Sequence, residues 1–229
     1  MACMVRLFED ESASQQQARK IMGENFLGIA EAIRFFGVSP TNRQLADLAK
    51  VPFPEELLWF VKDTHILAAV FPVSVREMMR WHEPLFSAST AKRKGDGFAY
   101  EKGALGWQLV RKTPVPDSFG KAWEQQLLLL GKGEEVPSAQ TVIFMVIGHF
   151  RHTGERLFPN LCVRTSSSVR TLGLDEMPSY AGRRICVGPF GSDGLVVCPL
   201  FAAEHHSDIG LASAHRLTEG QSSPAVVAG

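Results

Sequence analysis

From Leu161 onward the sequence carries no helix signal. Residues 162–165, 184–190, 195–201 and 209–217 are short apolar runs separated by polar or glycine-bearing stretches, which reads as strands. Gly191, Ser192, Asp193 and Gly194 supply a tight turn between the middle two runs, so these are expected to pair as a hairpin. The earlier part of the chain reads differently. Met22, Phe26, Ile29, Ile33 and Phe36 recur at steps of four and three, the spacing of one helical stripe, which Gly37 ends. Ser39, Pro40 and Thr41 open a second helix with Leu45, Leu48 and Ala49 as its apolar face, and Pro52 stops it. Pro54, Glu55 and Glu56 have the composition of a third helix start.

Beyond residue 64 the signals alternate. Residues 65–71 predict a buried strand, 74–81 a short helix and 106–111 a strand closed by Pro114 and Pro116. Between them Lys92, Arg93, Lys94, Gly95, Asp96 and Gly97 form a polar loop. Asp117 or Ser118 then caps a helix reaching Leu130, and Ser138 caps another over 139–153 with a thoroughly buried apolar face. The order predicts an α+β protein with helices packed on antiparallel sheet. We read a helical N-terminal region over residues 1–60, a main domain over 61–217 and a flexible tail over 218–229.

Composition narrows the function classes. Hydrophobic residues make up 45% and charged residues 21% of the 229, which excludes wholesale disorder. The 24 basic and 24 acidic side chains cancel, so the field expected of a general nucleic-acid binder is missing. The most apolar windows, 66–75 and 142–150, fall far short of the ~20 residues that span a bilayer. Residues 1–12, MACMVRLFEDES, lack the basic-then-apolar plan of a secretory signal, so the expected location is cytoplasmic, with reduced thiols.

Few residues stand at spacings that carry chemistry. The four cysteines (Cys3, Cys162, Cys186, Cys198) show no C-x-x-C pair, which removes a zinc ribbon. His149 and His152 are three apart on a predicted helix and share a face, but no carboxylate stands at ligand spacing beside them. Glu204, His205, His206 and Asp208 form a second polar group, where a solvated loop is the simpler reading. Cys186 and Cys198 flank the 191–194 turn nearly symmetrically, so antiparallel pairing brings them close as a thiol pair or a cross-strand disulfide. Arg43 lies in NRQLADLA, which has some flavour of a helix-turn-helix segment, although Pro52 and Pro54 argue against it.

The tail GRRICVGPFGSDGLVVCPLFAAEHHSDIGLASAHRL, residues 182–217, resembles the end of bacterial variable proteins of diversity-generating retroelements. Those tails follow a pattern like R-V-x-V-G-x-F-x-S-x-G-L-x-V and later L-G-V-S-S-A-R. Here Arg184, Val187, Gly188, Phe190, Ser192, Gly194, Leu195 and Val197 stand at the framework places, and residues 209–214 match the closing segment. The resemblance continues upstream through residues 18–38, 106–115 and 153–166, and so covers most of the chain. It departs at Phe201, Ala202 and Ala203, where relatives carry Trp and two Asp, and at Ala214, His215 and Arg216, where they end in Ala-Arg-Lys.

The resemblance implies a C-type-lectin-like domain whose tail is rewritten at adenine-bearing codons to form a ligand-binding face. The rewritten places it implies are Cys186, Pro189, Gly191, Asp193, Val196, Cys198, Pro199, Leu200, His206, Ser207 and Asp208, within a variable segment 184–216. An AAC or AAT codon changed only at its adenines never becomes Lys, Glu, Gln, Met or Trp. None of those five residues occurs among the eleven places. The expected function is therefore non-enzymatic recognition of a protein or other macromolecule, with no cofactor, metal or membrane span. The alternatives are a metal- or thiol-dependent enzyme using His149, His152, His205 or Cys186, and a DNA-binding regulator acting through Arg43 and the N-terminal helices.

Overall fold

Ser12 accepts a hydrogen bond from the Gln15 amide and starts α1 (Ala13–Met22), in a computed structural model that describes residues 11–92, 97–169 and 182–216. Gly23, at φ 55°, turns the chain out of α1 into a single 3-10 turn. A two-residue strand follows, β1 (Phe26–Leu27), and then α2 (Ile29–Phe36), ended by Gly37 in the left-handed region. The stripe from Met22 to Phe36 is therefore not one helix. Gly23 and Gly28 interrupt it, and Phe26 and Leu27 pair with Leu67 and Ala68 instead. Arg19 holds the two helices together by binding the carboxylates of Glu11 and Glu31.

Next come α3 (Asn42–Leu48) and α4 (Glu55–Val61). Of the apolar face expected on α3 only Leu48 is buried; Leu45 and Ala49 face solvent because a seven-residue helix lying on the surface presents one turn inward. β2 (His65–Val70) is buried along its whole length. Ser74 then caps α5 (Val75–Trp81), with Glu77 bonding back to the Ser74 amide as a capping box. α6 (Ala88–Ala91) and β3 (Gly106–Arg111) follow.

The helix expected from Asp117 or Ser118 to Leu130 is much shorter, α7 (Trp123–Leu127). Asp117 sits at φ 59° in a turn. The Ser118 hydroxyl is committed elsewhere, donating to the Val115 carbonyl and accepting from the Leu211 amide. β4 (Glu134–Glu135) precedes α8 (Ala139–Thr153), which Ser138 caps and Gly154 ends. β5 (Cys162–Ser168), β6 (Arg183–Gly191) and β7 (Gly194–Phe201) come next. The last expected strand is split into β8 (Ile209–Leu211) and β9 (Ala214–His215), which belong to different sheets.

The described residues thus form an α+β fold of eight α-helices and two sheets. One sheet runs β1-β2-β3-β9-β4 and the other β7-β6-β5-β8. Both are mixed rather than purely antiparallel, since β1 lies parallel to β2 and β8 parallel to β5. α8 is the hub between them. Its residues 139–147 are buried, Phe144 stacks on Phe36 with ring centroids 3.9 Å apart, and Gly148 lets Leu27 approach. At ~1.5–3 kcal/mol for each fully buried large side chain, this helix is a principal source of stability. The same core takes in Ala18, Leu58, Leu67, Val146, Val187 and Ala214, so the helical N-terminal residues pack into it too. The sequence-expected polar loop at 93–96 and tail at 218–229 lie outside the described residues.

Candidate functional site

β6 and β7 form the expected hairpin, with Cys186 opposite Cys198, Val187 opposite Val197 and Gly191 opposite Gly194. Alternation along paired strands separates two faces. Ile185, Val187, Leu195 and Val197 enter the main core, together with Phe190 and Val163. The opposite face carries Cys162, Cys186 and Ile209, with Cys198 and Leu200 packed over them. Because β7 is the edge strand, its outer backbone needs another partner. Thr90 supplies one: its hydroxyl donates to the Leu195 carbonyl and accepts from the Val197 amide.

Of the eleven places singled out in the sequence, nine have solvent access. Asp193, Ser207 and Asp208 are exposed, and Pro189, Gly191, Val196, Cys198, Leu200 and His206 are half-buried. Cys186 and Pro199 are buried, so their side chains are not part of the accessible surface. Cys186 lies beneath the Cys198 and Leu200 side chains, and Pro199 falls on the core-facing phase of β7 opposite Ile185. Framework places behave in the opposite way. Of the eight, Val187, Gly188, Phe190, Gly194, Leu195 and Val197 are buried, and only Arg184 and Ser192 are not.

The three glycines of the hairpin divide along the same line. A Cβ at Gly188 would lie 2.3 Å from the Leu161 carbonyl oxygen, and one at Gly194 would lie 2.6 Å from the Phe86 carbonyl carbon. Both glycines also have positive φ, 109° and 98°. At Gly191 the nearest atom would be the Pro159 oxygen at 3.8 Å, an ordinary contact. Only Gly191, one of the eleven, has room for a side chain.

A buried cation anchors the border of this face. Arg164 on β5 is 0% exposed. Its guanidinium donates to the Lys121 and Glu204 carbonyls at 2.8 and 2.6 Å and to the Gln126 side-chain oxygen at 3.0 Å. It therefore ties the turn before α7 to the loop after β7. That loop is held further where the Gly120 amide donates to the His206 carbonyl and the Trp123 amide to the Ala202 carbonyl. His206 meets Glu204 at 3.0 Å, and His205 meets the Gly120 carbonyl.

The residues of the alternative readings are spread over separate parts of the fold. No disulfide joins Cys162, Cys186 and Cys198. Burial pushes the Cys162 thiol up to about 12 and drives Cys186 well above the usual thiol range, so neither is the thiolate a nucleophile requires. His149 is 1% exposed and bonds Glu155 at 2.8 Å, whereas His152 is exposed near the Phe35 ring. Neither meets His205 in a shared ligand group. Arg43 is exposed at the start of α3.

One group escaped the sequence reading. The ligand atoms of His65, Glu134 and His215 lie within 4.8 Å of one another, the one such set of three among the described residues. They stand on β2, β4 and β9, neighbours only through the sheet, and no local motif links positions so far apart in the chain. Comparison with protein-family models, with curated proteins and with solved structures finds no match to this chain.

Proposed function

We propose that this chain is a non-enzymatic binding protein of the diversity-generating-retroelement variable kind, with a C-type-lectin-like domain. Its recognition surface is built from Pro189, Gly191, Asp193, Val196, Cys198, Leu200, His206, Ser207 and Asp208. The observation that carries this reading is the sorting of the hairpin glycines: Gly191 has room for other side chains, while Gly188 and Gly194 have none. The resemblance puts Gly191 among the rewritten places and Gly188 and Gly194 in the framework, which agrees with this division. Apart from the two-residue strand at 134–135, the order from 106–111 through helices 123–127 and 139–153 to the strands from 162 onward is the one the C-type-lectin-like fold implies.

The physical division of labour is simple. Val187, Phe190, Leu195 and Val197 hold the hairpin to the core, while the opposite phase of β7 carries Val196 and, over a small second cluster, Cys198 and Leu200. Surface substitutions away from caps and cores change stability by about 0.5 kcal/mol or less. The surface combines apolar Val196 and Leu200 with polar Asp193, Asp208 and His206, which suits a protein epitope with a few buried anchors.

Two tests apply. DNA flanking the coding region is expected to hold an imperfect copy of codons 184–216 differing almost only at adenines, beside a reverse-transcriptase gene. A display library randomised at the nine places is expected to stay folded in most members and to yield binders to unrelated protein targets. Absence of the copy together with collapse of most library members would overturn the proposal.

A further inference from the structure

The geometry points to a divalent transition-metal site of the zinc class formed by His65, Glu134 and His215, clamping the carboxyl-terminal strand β9 to the five-stranded sheet. Two imidazoles and one carboxylate are a donor set suited to zinc-class ions. Their ligand atoms already lie within 4.8 Å of one another, and the His65 and His215 rings have centroids 5.0 Å apart.

Hydrogen bonding fixes which His65 nitrogen is available. The Thr64 hydroxyl donates to the Val61 carbonyl at 3.2 Å, so its oxygen accepts from His65 Nδ1 at 2.9 Å. The proton therefore sits on Nδ1, and Nε2 keeps its lone pair. His65 is only 3% exposed, yet Nε2 has no hydrogen-bond partner. A buried acceptor without a donor is destabilising, and metal coordination would satisfy it.

Glu134 is oriented in the same way. One carboxylate oxygen accepts from the Gly131 amide at 2.8 Å and the other from the Ser213 hydroxyl at 3.3 Å. These are the outer contacts that orient a metal-ligating carboxylate. Glu134 and His215 are also register partners across β4 and β9, which sets both on one face of the sheet. The nearby Arg111 guanidinium opposes a cation, and its side chain turns to Thr113.

The test uses the full chain stripped with a chelator and titrated with Zn²⁺ by calorimetry and with Co²⁺ by visible absorption. One ion per chain is expected. With Zn²⁺ at a hundredfold excess over Kd, Tm is expected to rise by about 5–10 °C. His65→Gln, Glu134→Gln and His215→Gln should each weaken binding by more than the roughly 10–100-fold that loss of an outer-shell partner costs. His152→Gln, at an exposed histidine far from the three in sequence, should leave affinity unchanged. If His65→Gln fails to fold, the two half-buried partners decide. No binding, binding that survives Glu134→Gln and His215→Gln, or loss of affinity in His152→Gln would overturn the site.

Discussion

Alanine substitution at Gly188, Gly191 and Gly194 distinguishes a hairpin with separable faces from one in which every position is structural. At Gly188 the new Cβ would sit 2.3 Å from the Leu161 oxygen and 3.1 Å from the Cys162 Cα, both backbone atoms that cannot swing aside. At Gly194 it would meet the Phe86 carbonyl carbon at 2.6 Å and the Ser87 nitrogen at 2.7 Å, where the Ser87 amide bonds the Leu195 carbonyl. Positive φ adds about 1–3 kcal/mol of strain, and displacing packed neighbours about 1–3 kcal/mol more. The total of about 2–6 kcal/mol corresponds to a fall in Tm of roughly 5–20 °C for a chain of this size. Gly191→Ala meets only the Pro159 oxygen at 3.8 Å and should change stability by about 0.5 kcal/mol or less. Thermal and urea unfolding of the three variants measures this directly. A Gly191→Ala variant as damaged as Gly194→Ala, or a Gly188→Ala variant as stable as the parent, would refute the division between faces.

Val196→Tyr should move Tm by less than about 4 °C, because its half-buried side chain lies on the phase of β7 facing away from the main core. Arg164→Leu should destabilise by about 2–4 kcal/mol, since it removes charge-assisted bonds to Lys121, Gln126 and Glu204; urea unfolding reads the loss. Alkylation of the native protein followed by peptide mass spectrometry should mark Cys198 before Cys162 and Cys186, which burial keeps protonated and covered. Stability should also fall on acidification. Burial lowers the pKa of His82 and of His149, at the latter against the raising effect of Glu155, below the ordinary value near 6.5. Below that value the unfolded chain binds more protons than the folded one, so the contribution is complete above pH 6.5 and is lost as pH falls through the folded values. Urea midpoints from pH 8 to 5 should therefore drop, and drop less in His82→Gln.

Strand and cap chemistry was legible because it is local. Residues 106–111, the helix over 139–153 with its Ser138 cap, and the hairpin around Gly191 and Gly194 all rest on signals a few residues long. The misreadings share one cause, tertiary competition for a local signal. Ser118 has the composition of a helix cap, but its hydroxyl serves the Leu211 amide, 93 residues away. Phe26 has helical spacing, but strand pairing with Leu67 claims it. Residues 209–217 read as one strand, but the Ala212 amide bonds the Arg164 carbonyl and the chain then crosses to the other sheet.

The same distinction separates the two sites. The hairpin was readable because its strands are consecutive and joined by a turn, although the register shift between Val187 and Phe190 breaks strict alternation and sends both into the core. Even there, alternation could not foretell that Cys186, on the outward phase, is covered by Cys198, Leu200 and Ile209, since cover is a property of the neighbours. The His65, Glu134 and His215 group lies at the other extreme. Its members meet only because β3 stands between β2 and β9 and β9 pairs with β4, an arrangement set by the whole sheet. The two sites are coupled through the chain all the same. β9 follows β8 directly, so the strand that would be clamped at His215 is the continuation of the segment bearing His206, Ser207 and Asp208. The far end of that segment is held by the packing of Ala214 in the core, and under the proposed metal site His215 would add a bond to it.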